Sequence, residues 1–138
     1  MIAFLDTSAL VKLYHWETGS DIIEKAICDA TELYLSEIAK LEFRSAIYKK
    51  VRTKDLNLSD AENVIACFEA DYTQFNWINV DKSVIQSASE LLTKYGEIGL
   101  RTLDSIQLAS ALSVEIKDCL ILSADIIINK IVALGNLP

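Results

Sequence analysis

Four acidic residues lie beside apolar stretches of the sequence, where an unpaired carboxylate is costly. Asp6 follows the apolar run IAFL and Asp125 comes shortly after CLIL, while Glu42 and Asp104 fall within the segments KLEFRSAI and TLDSIQLA. A charge with apolar neighbours needs a counter-charge or a metal ion. Carboxylate oxygens are hard ligands that favour Mg²⁺ or Mn²⁺ over zinc. The four residues therefore predict a divalent-metal site, provided that the fold brings them together.

Short apolar runs alternate with segments of helical spacing along the chain. The runs at 2–6, 32–36, 77–80 and 119–123 have the length and composition of buried strands. Strands that are separated by helices pair in parallel and have helices on both faces of their sheet. We therefore expect an α/β fold, a three-layer α/β/α sandwich with a central parallel sheet of four or five strands.

Polar residues in front of apolar periodic segments predict where the helices begin. Ser20 is expected to start SDIIEKAICDA, Ser59 to start the helix within LSDAENVIACFEADY, and Thr102 to cap LDSIQLASALSVEI. The segment SEIAKLEFRSAIYKKV is typical of a long amphipathic helix, and SVIQSASELLTKYG is expected to end at Gly96.

The carboxyl ends of parallel strands share one edge of a sheet, and ligands bind beyond that edge. Asp6 and Asp125 both follow strands, and Asp104 occupies the first turn of a predicted helix, where a carboxylate is favoured. We expect these residues to meet at one edge together with Glu42. Simpler interpretations remain open, because the three aspartates can serve only as helix-start residues and Glu42 can pair with a basic neighbour at the surface.

Composition limits the class of protein. A length of 138 residues with 51% hydrophobic residues is typical of one globular domain, which we expect to span residues 1–138. Three cysteines without C-x-x-C spacing indicate a reducing compartment. No apolar stretch approaches the ~20 residues of a bilayer-spanning helix, so we expect a soluble cytoplasmic protein. His15 is the only histidine, which excludes catalysis by a histidine pair.

The net charge of −7 argues at first sight against a polyanionic partner, but the charge is unevenly distributed. Residues 40–54 hold six Lys and Arg against one acid, so this segment carries +5 and the rest of the chain −12. A basic segment on an acidic body can contact phosphates. A solvated helix face is the simpler alternative.

The order of these motifs resembles that of PIN-domain endoribonucleases, especially the VapC-type toxins of bacterial and archaeal toxin–antitoxin pairs. The motifs are IAFLDTSAL, SEIAKLEF, RTLDSIQLASAL and ILSAD, and the resemblance covers essentially the whole chain. It implies that Asp6, Glu42, Asp104 and Asp125 form a catalytic cluster. It also implies hydrolysis of RNA with Mg²⁺ or Mn²⁺, with Asp6 and Asp104 as direct ligands and with 5′-phosphate and 3′-hydroxyl ends as products.

The same resemblance implies supporting residues and partners. Thr7, Ser8 and Ser123 look like the hydroxyls that orient carboxylates or bound water, although the family usually has threonine at the position of Ser123. The residues expected to contact RNA are Lys40, Arg44, Lys49, Lys50, Arg52 and Arg101. The resemblance further implies a cognate antitoxin protein that covers the acidic groove, and a homodimer.

Two other functions fit part of the pattern. A response-regulator receiver domain also gathers acids around Mg²⁺, but it has two acids after its first strand and a lysine after its last core strand, and neither feature is present here. An inactive PIN-like domain that serves as an RNA-binding or protein-binding scaffold is the second alternative. The presence of all four acids favours the enzyme.

Overall fold

The structure is a computed structural model that describes residues 1–115 and 118–135. Within these ranges it contains one sheet of four parallel strands, in the order β3-β2-β1-β4. The strands are β1 (Ile2–Leu5), β2 (Glu32–Ser36), β3 (Asn76–Ile78) and β4 (Cys119–Leu122). The helices are α1 (Thr7–Tyr14), α2 (Ser20–Ile27), α3 (Ala39–Arg52), α4 (Leu58–Ala70), α5 (Lys82–Tyr95), α6 (Thr102–Leu112) and α7 (Ile126–Leu134).

Alternating side chains of the strands pack against helices on opposite faces of the sheet. Leu5 and Leu35 belong to an apolar cluster built with α1, α2, α3 and α4. Phe4 and Ile121 belong to a second cluster built with α5, α6 and α7. Because successive strand residues point to opposite faces, one short apolar run supplies both layers. The predicted α/β/α sandwich is therefore confirmed, with four strands in the described part of the chain.

Three of the four predicted strands differ at their ends from the observed ones. The strand at 32–36 is confirmed, whereas those predicted at 2–6, 77–80 and 119–123 are Ile2–Leu5, Asn76–Ile78 and Cys119–Leu122. Asp6 and Ser123 lie just beyond β1 and β4, where their side chains bond to each other instead of continuing the strands. The predicted runs at 2–6 and 119–123 thus each include the first residue after the strand.

The three predicted capping residues are wrong. The residues at the cap positions of α2, α4 and α6 are Gly19, Asn57 and Arg101. Ser20 is buried inside α2, and its hydroxyl accepts a hydrogen bond from the preceding turn. Asn57 caps α4 by accepting from the backbone N–H three residues later, at 2.7 Å. The helix expected to continue through 116 ends at Leu112, and residue 116 itself lies outside the described residues.

None of the helices in the described ranges combines the length and the apolar character needed to cross a membrane.

Glu17, in the turn between α1 and α2, joins this turn to α3. Its carboxylate oxygens accept from Lys12 at 3.1 Å and from Lys50 at 2.6 Å. Burial raises the pKa of Glu17, but the hydrogen bonds and charges of Lys50 and Lys12 outweigh burial and leave the pKa below its ordinary value. Lys50 is therefore held by an acid of its own chain.

Replacing Glu17 by Gln is expected to lower the melting temperature at pH 7 by roughly 2–5 °C, as for an ion pair worth about 1 kcal/mol. The pKa of Glu17 is lower in the folded state than in the unfolded state. Its stabilising effect is therefore fully present above the unfolded-state pKa and is lost as the pH falls through the folded-state pKa. Thermal unfolding at pH 7 and near pH 3 measures the effect, with the exposed Glu24→Gln on α2 as control. An equal loss at both pH values would contradict the ion-pair explanation.

Candidate active site

A cleft of about 510 Å³ opens at the carboxyl ends of β1 and β4, between α1, α3 and α6. All four predicted acids line it, although they come from separate elements of the chain. Its remaining wall combines polar and basic side chains with five apolar ones, which are Val11, Ile38, Leu41, Ala46 and Leu103. The structure therefore places Asp6, Glu42, Asp104 and Asp125 around one solvent-accessible space.

Asp6 is the most buried of the four acids, with 4% of its surface exposed. Its Oδ1 accepts from the Ala9 N–H at 2.9 Å and from the Ser8 hydroxyl at 2.6 Å, and its Oδ2 accepts from the Ser123 hydroxyl. Asp6 thus caps α1, as its simpler interpretation predicts, and it lines the cleft as well. The two roles are compatible because a carboxylate has several lone pairs.

Glu42 lies half-buried on α3 and contacts neutral donors. Its Oε1 accepts from the Thr7 hydroxyl at 3.2 Å and from Gln107 Nε2 at 2.7 Å. The neighbouring bases are paired elsewhere, Lys40 with Glu37 and Arg44 with Glu69. The interpretation of Glu42 as a surface ion-pair partner is therefore wrong.

Asp104 and Asp125 both occupy helix starts that face the cleft. Asp104 lies in the first turn of α6, and Asp125 caps α7 by accepting from the Ile128 N–H at 2.9 Å. Ser123 connects this side to Asp6, because its hydroxyl donates to Asp6 and accepts from the Asp125 N–H at 2.9 Å. The predicted hydroxyls Thr7, Ser8 and Ser123 all contact the acidic cluster or its backbone.

Burial and mutual repulsion raise the pKa values of three of the acids. For Asp6, burial outweighs the hydrogen bonds from Ser123, Ser8 and Ala9, and the charge of Asp125 raises the pKa further. Burial likewise raises the pKa of Glu42 and outweighs the hydrogen bonds from Gln107 and Thr7, which lower it. The negative charges of Asp104 and Asp6 raise the pKa of Glu42 further. Burial and the charges of Asp125 and Asp6 raise the pKa of Asp104, and Arg101 opposes them. The cluster is short of positive charge.

The carboxylate and hydroxyl oxygens that line the cleft are of the type that binds Mg²⁺ or Mn²⁺. The residues described as lining it provide carboxylates and hydroxyls, with no histidine or cysteine. No three His, Cys, Asp or Glu side chains within residues 1–115 and 118–135 are arranged to hold a metal by themselves. Mg²⁺ is usually held by one or two carboxylates, with waters and substrate phosphate as its other ligands. An open carboxylate cleft with raised pKa values matches that mode of binding.

The predicted basic residues do not form one surface. Lys49 and Arg52 line the cleft, and Arg101 precedes α6 beside Asp104. The other three are paired with acids of the chain: Lys40 with Glu37, Arg44 with Glu69 and Lys50 with Glu17. The basic segment is thus divided between the cleft and ion pairs elsewhere.

Gln107 is a residue of the cleft that sequence reasoning missed. It is 2% exposed, and its amide donates to Glu42 and to Thr7 Oγ1, the latter at 2.9 Å. One signal was present in the sequence, because Gln107 lies one helical turn after Asp104 on α6 and so shares its face.

Comparisons of the sequence with known proteins indicate its family. A model of the PIN domain family matches residues 3–134. Ribonuclease VapC45 of Mycobacterium tuberculosis is 32% identical over 114 residues, which are 82% of this chain and 76% of that protein.

Among solved structures, the M. tuberculosis toxin VapC20, described as cleaving the sarcin–ricin loop, has a TM-score of 0.72 at 14% identity and covers 94% of both chains. VapBC2 from Rickettsia felis, bound to a DNA fragment from its promoter, has a TM-score of 0.66 at 16% identity over 99% of this chain and 96% of the other. These structures share the fold. The family model and the sequence relative together establish that the chain belongs to the PIN domain family.

Proposed function

We propose that this protein is a metal-dependent endoribonuclease, the toxin of a VapBC-type pair, formed as a single domain over residues 1–138. The observation that supports this most strongly is the placement of four acids from separate elements around one open cleft. The raised pKa values of Asp6, Glu42 and Asp104, and the absence of ion pairs to the acids in the described ranges, fit a site made to receive cations. The related protein named ribonuclease VapC45 supports RNA as the substrate.

Asp6 and Asp104 are the proposed direct ligands of Mg²⁺ or Mn²⁺. A cation bound there supplies the Lewis acidity that polarises the scissile phosphate and lowers the pKa of the attacking water. Glu42 and Asp125 complete the negative charge, directly or through water. Ser8 and Ser123 hold Asp6 in place from both of its oxygens, which keeps the ligand rigid.

Lys49, Arg52 and Arg101 are the proposed contacts to the RNA backbone. Replacing Lys49 and Arg52 together by Ala is expected to weaken RNA binding and to reduce the slope of log K against log[salt] by about 0.7 for each lost phosphate contact. Filter binding of a single-stranded RNA between about 50 and 200 mM salt measures this slope.

The matched control is the double variant Lys40→Ala with Arg44→Ala, which removes two charges from the same helix outside the cleft. Its salt slope should equal that of the wild type. If both double variants reduce the salt slope equally, RNA binding depends only on net charge, and the proposal that Lys49 and Arg52 contact the RNA backbone is contradicted.

An antitoxin is the proposed protein partner. The cleft has an acidic floor and an apolar rim on which Leu41 is 72% and Leu103 is 47% exposed. A segment with apolar side chains and a basic residue complements both features. A structure from Klebsiella pneumoniae with the same fold, at a TM-score of 0.64, is a toxin–antitoxin complex, which supports an antitoxin as the partner. A homodimer and a cytoplasmic location are part of the same proposal.

The proposal is tested by incubating the purified protein with total RNA in the presence of Mg²⁺, Mn²⁺ or EDTA. We expect endonucleolytic fragments with either metal and intact RNA with EDTA. Intact RNA under all conditions, with the protein folded and free of antitoxin, would favour the scaffold alternative. The receiver-domain alternative is ruled out by membership of the PIN domain family.

A further inference from the structure

Gln107 connects three helices at the acidic cleft. From α6 its Nε2 donates to Glu42 Oε1 on α3 at 2.7 Å and to Thr7 Oγ1 on α1 at 2.9 Å. The Thr7 hydroxyl donates to the same Glu42 oxygen at 3.2 Å. Glu42 is therefore held by two neutral donors that both bind Oε1, and Oε2 accepts no hydrogen bond from the described residues.

The other end of the same amide has no partner. Gln107 Oε1 is the one buried side-chain polar atom of the described residues without a hydrogen bond. Turning the amide over would not remove this defect, because it would bring an acceptor to 2.7 Å from the Glu42 carboxylate. An unpaired buried acceptor destabilises a fold, whereas an apolar side chain of similar shape leaves none. A glutamine at position 107 thus supplies a hydrogen-bond donor to Glu42, although its unpaired carbonyl oxygen lowers the stability of the fold.

No other side chain within residues 1–115 and 118–135 bonds to the Glu42 carboxylate. The bases next to it on α3 pair with Glu37 and Glu69, outside the cleft. A glutamate side chain has several rotatable bonds, and on a helix facing an open cleft it samples several rotamers unless it is bonded. Neutral donors fix it without cancelling its charge, which is the arrangement needed for a cation ligand.

We propose that Gln107 is a positioning residue that, together with Thr7, fixes Glu42 through Oε1 and leaves Oε2 free to bind the divalent cation, directly or through water. This inference rests on the proposed function, since it assigns Gln107 to the same metal site. It differs from a purely structural role, in which Gln107 would affect only the stability of the α1–α3–α6 contact.

The test is the variant Gln107→Met, which keeps the length of the side chain and removes both polar ends. We expect the Mn²⁺ concentration for half-maximal thermal stabilisation, measured without RNA, to rise by about 10- to 100-fold, the usual effect of removing a partner that orients a metal ligand. With RNA, kcat should fall by a similar factor while KM changes less than about threefold, because RNA binding itself is untouched.

Ser110→Ala is the matched control. Ser110 is also fully buried on α6, one turn further on, and its hydroxyl donates to the Ile106 carbonyl and makes no contact with the acids. Its half-saturating Mn²⁺ concentration and kcat should equal those of the wild type. Thr7→Val should shift the Mn²⁺ requirement in the same direction as Gln107→Met, and Thr7→Ser should restore it, so the test does not depend on one variant folding.

A double-mutant cycle shows whether Gln107 acts through Glu42. In a Glu42→Gln background, Gln107→Met should have no further effect on the Mn²⁺ requirement. Full additivity, or a wild-type Mn²⁺ requirement and kcat in Gln107→Met, would overturn the inference. If the wild type itself neither responds to Mn²⁺ nor cleaves RNA, the proposed function fails, whereas a responsive and active wild type that is indistinguishable from Gln107→Met refutes only the role of Gln107.

Discussion

Replacing Asp104 by Asn is expected to lower metal-dependent RNA cleavage by more than about 100-fold while the fold stays intact. Asp104 lines the cleft in the first turn of α6, and its charge raises the pKa of Glu42. Even residues that only orient a metal ligand contribute about 10- to 100-fold, so a direct ligand should contribute more. Asn has nearly the same shape and removes only the charge. Single-turnover cleavage of a labelled RNA measures the effect.

The matched control for this substitution is Asp81→Asn. Asp81 is an exposed aspartate at the start of α5, where it caps the helix by accepting from the Val84 N–H at 2.9 Å. Asn caps helices about as well as Asp, so this variant should retain full activity. Substantial cleavage by Asp104→Asn at saturating metal would remove Asp104 from the site.

Divalent metal is expected to stabilise the wild type by about 2.7 kcal/mol at roughly 100 times its dissociation constant, a rise of roughly 10 °C in melting temperature. Asp6→Asn should lose most of this rise, because it removes the most buried of the four charges. Asn can still accept the hydrogen bond from the Ala9 N–H that caps α1. Without metal, the variant should therefore melt at or above the wild type. Differential scanning fluorimetry at matched ionic strength measures both quantities.

The pH dependence of the metal-free wild type follows from the same charges. Burial is the main cause of the raised pKa of Asp6, so the folded state binds more protons than the unfolded state between the ordinary and the raised value. Stability should fall as the pH rises through this window, and the gap between Asp6→Asn and the wild type should close as the pH is lowered. Strong destabilisation of Asp6→Asn without metal, together with a full metal response, would show that Asp6 acts only as a cap.

The positions of the acids were predictable because they depend on local patterns. Asp6 follows an apolar run with the length and composition of a buried strand, and parallel pairing then places it at the same edge as Asp125. Asp104 was predictable from its place at the start of a helix. The periodicity of the sequence therefore predicts the α/β/α fold and the sheet edge at which the three aspartates meet, whereas the place of Glu42 beside them was implied by the family resemblance.

The remaining features depend on contacts between residues that are far apart in the sequence. Gln107 and Glu42 are 65 positions apart, and Lys50 and Glu17 are 33 apart. The sequence places Gln107 on the same helix face as Asp104, but no local pattern shows that it reaches Glu42, or that Arg44 and Lys50 are neutralised by acids far away in the sequence. The prediction for Ser20 failed for a different and local reason, since its hydroxyl accepts from the Glu17 N–H in the turn before the helix instead of capping it.

The chemistry of the cut ends tests the central claim most directly. Attack of water on the phosphate with departure of the 3′-oxygen leaves a 5′-phosphate and a 3′-hydroxyl, whereas attack by the neighbouring 2′-hydroxyl with departure of the 5′-oxygen leaves a cyclic phosphate and a 5′-hydroxyl. Fragments made by the wild type with Mg²⁺ are sequenced with and without removal of end phosphates, beside fragments from Asp104→Asn. We expect 5′-phosphate ends that depend on both metal and Asp104. Cyclic-phosphate ends, or the same ends with EDTA or with Asp104→Asn, would contradict hydrolysis at the acidic cleft.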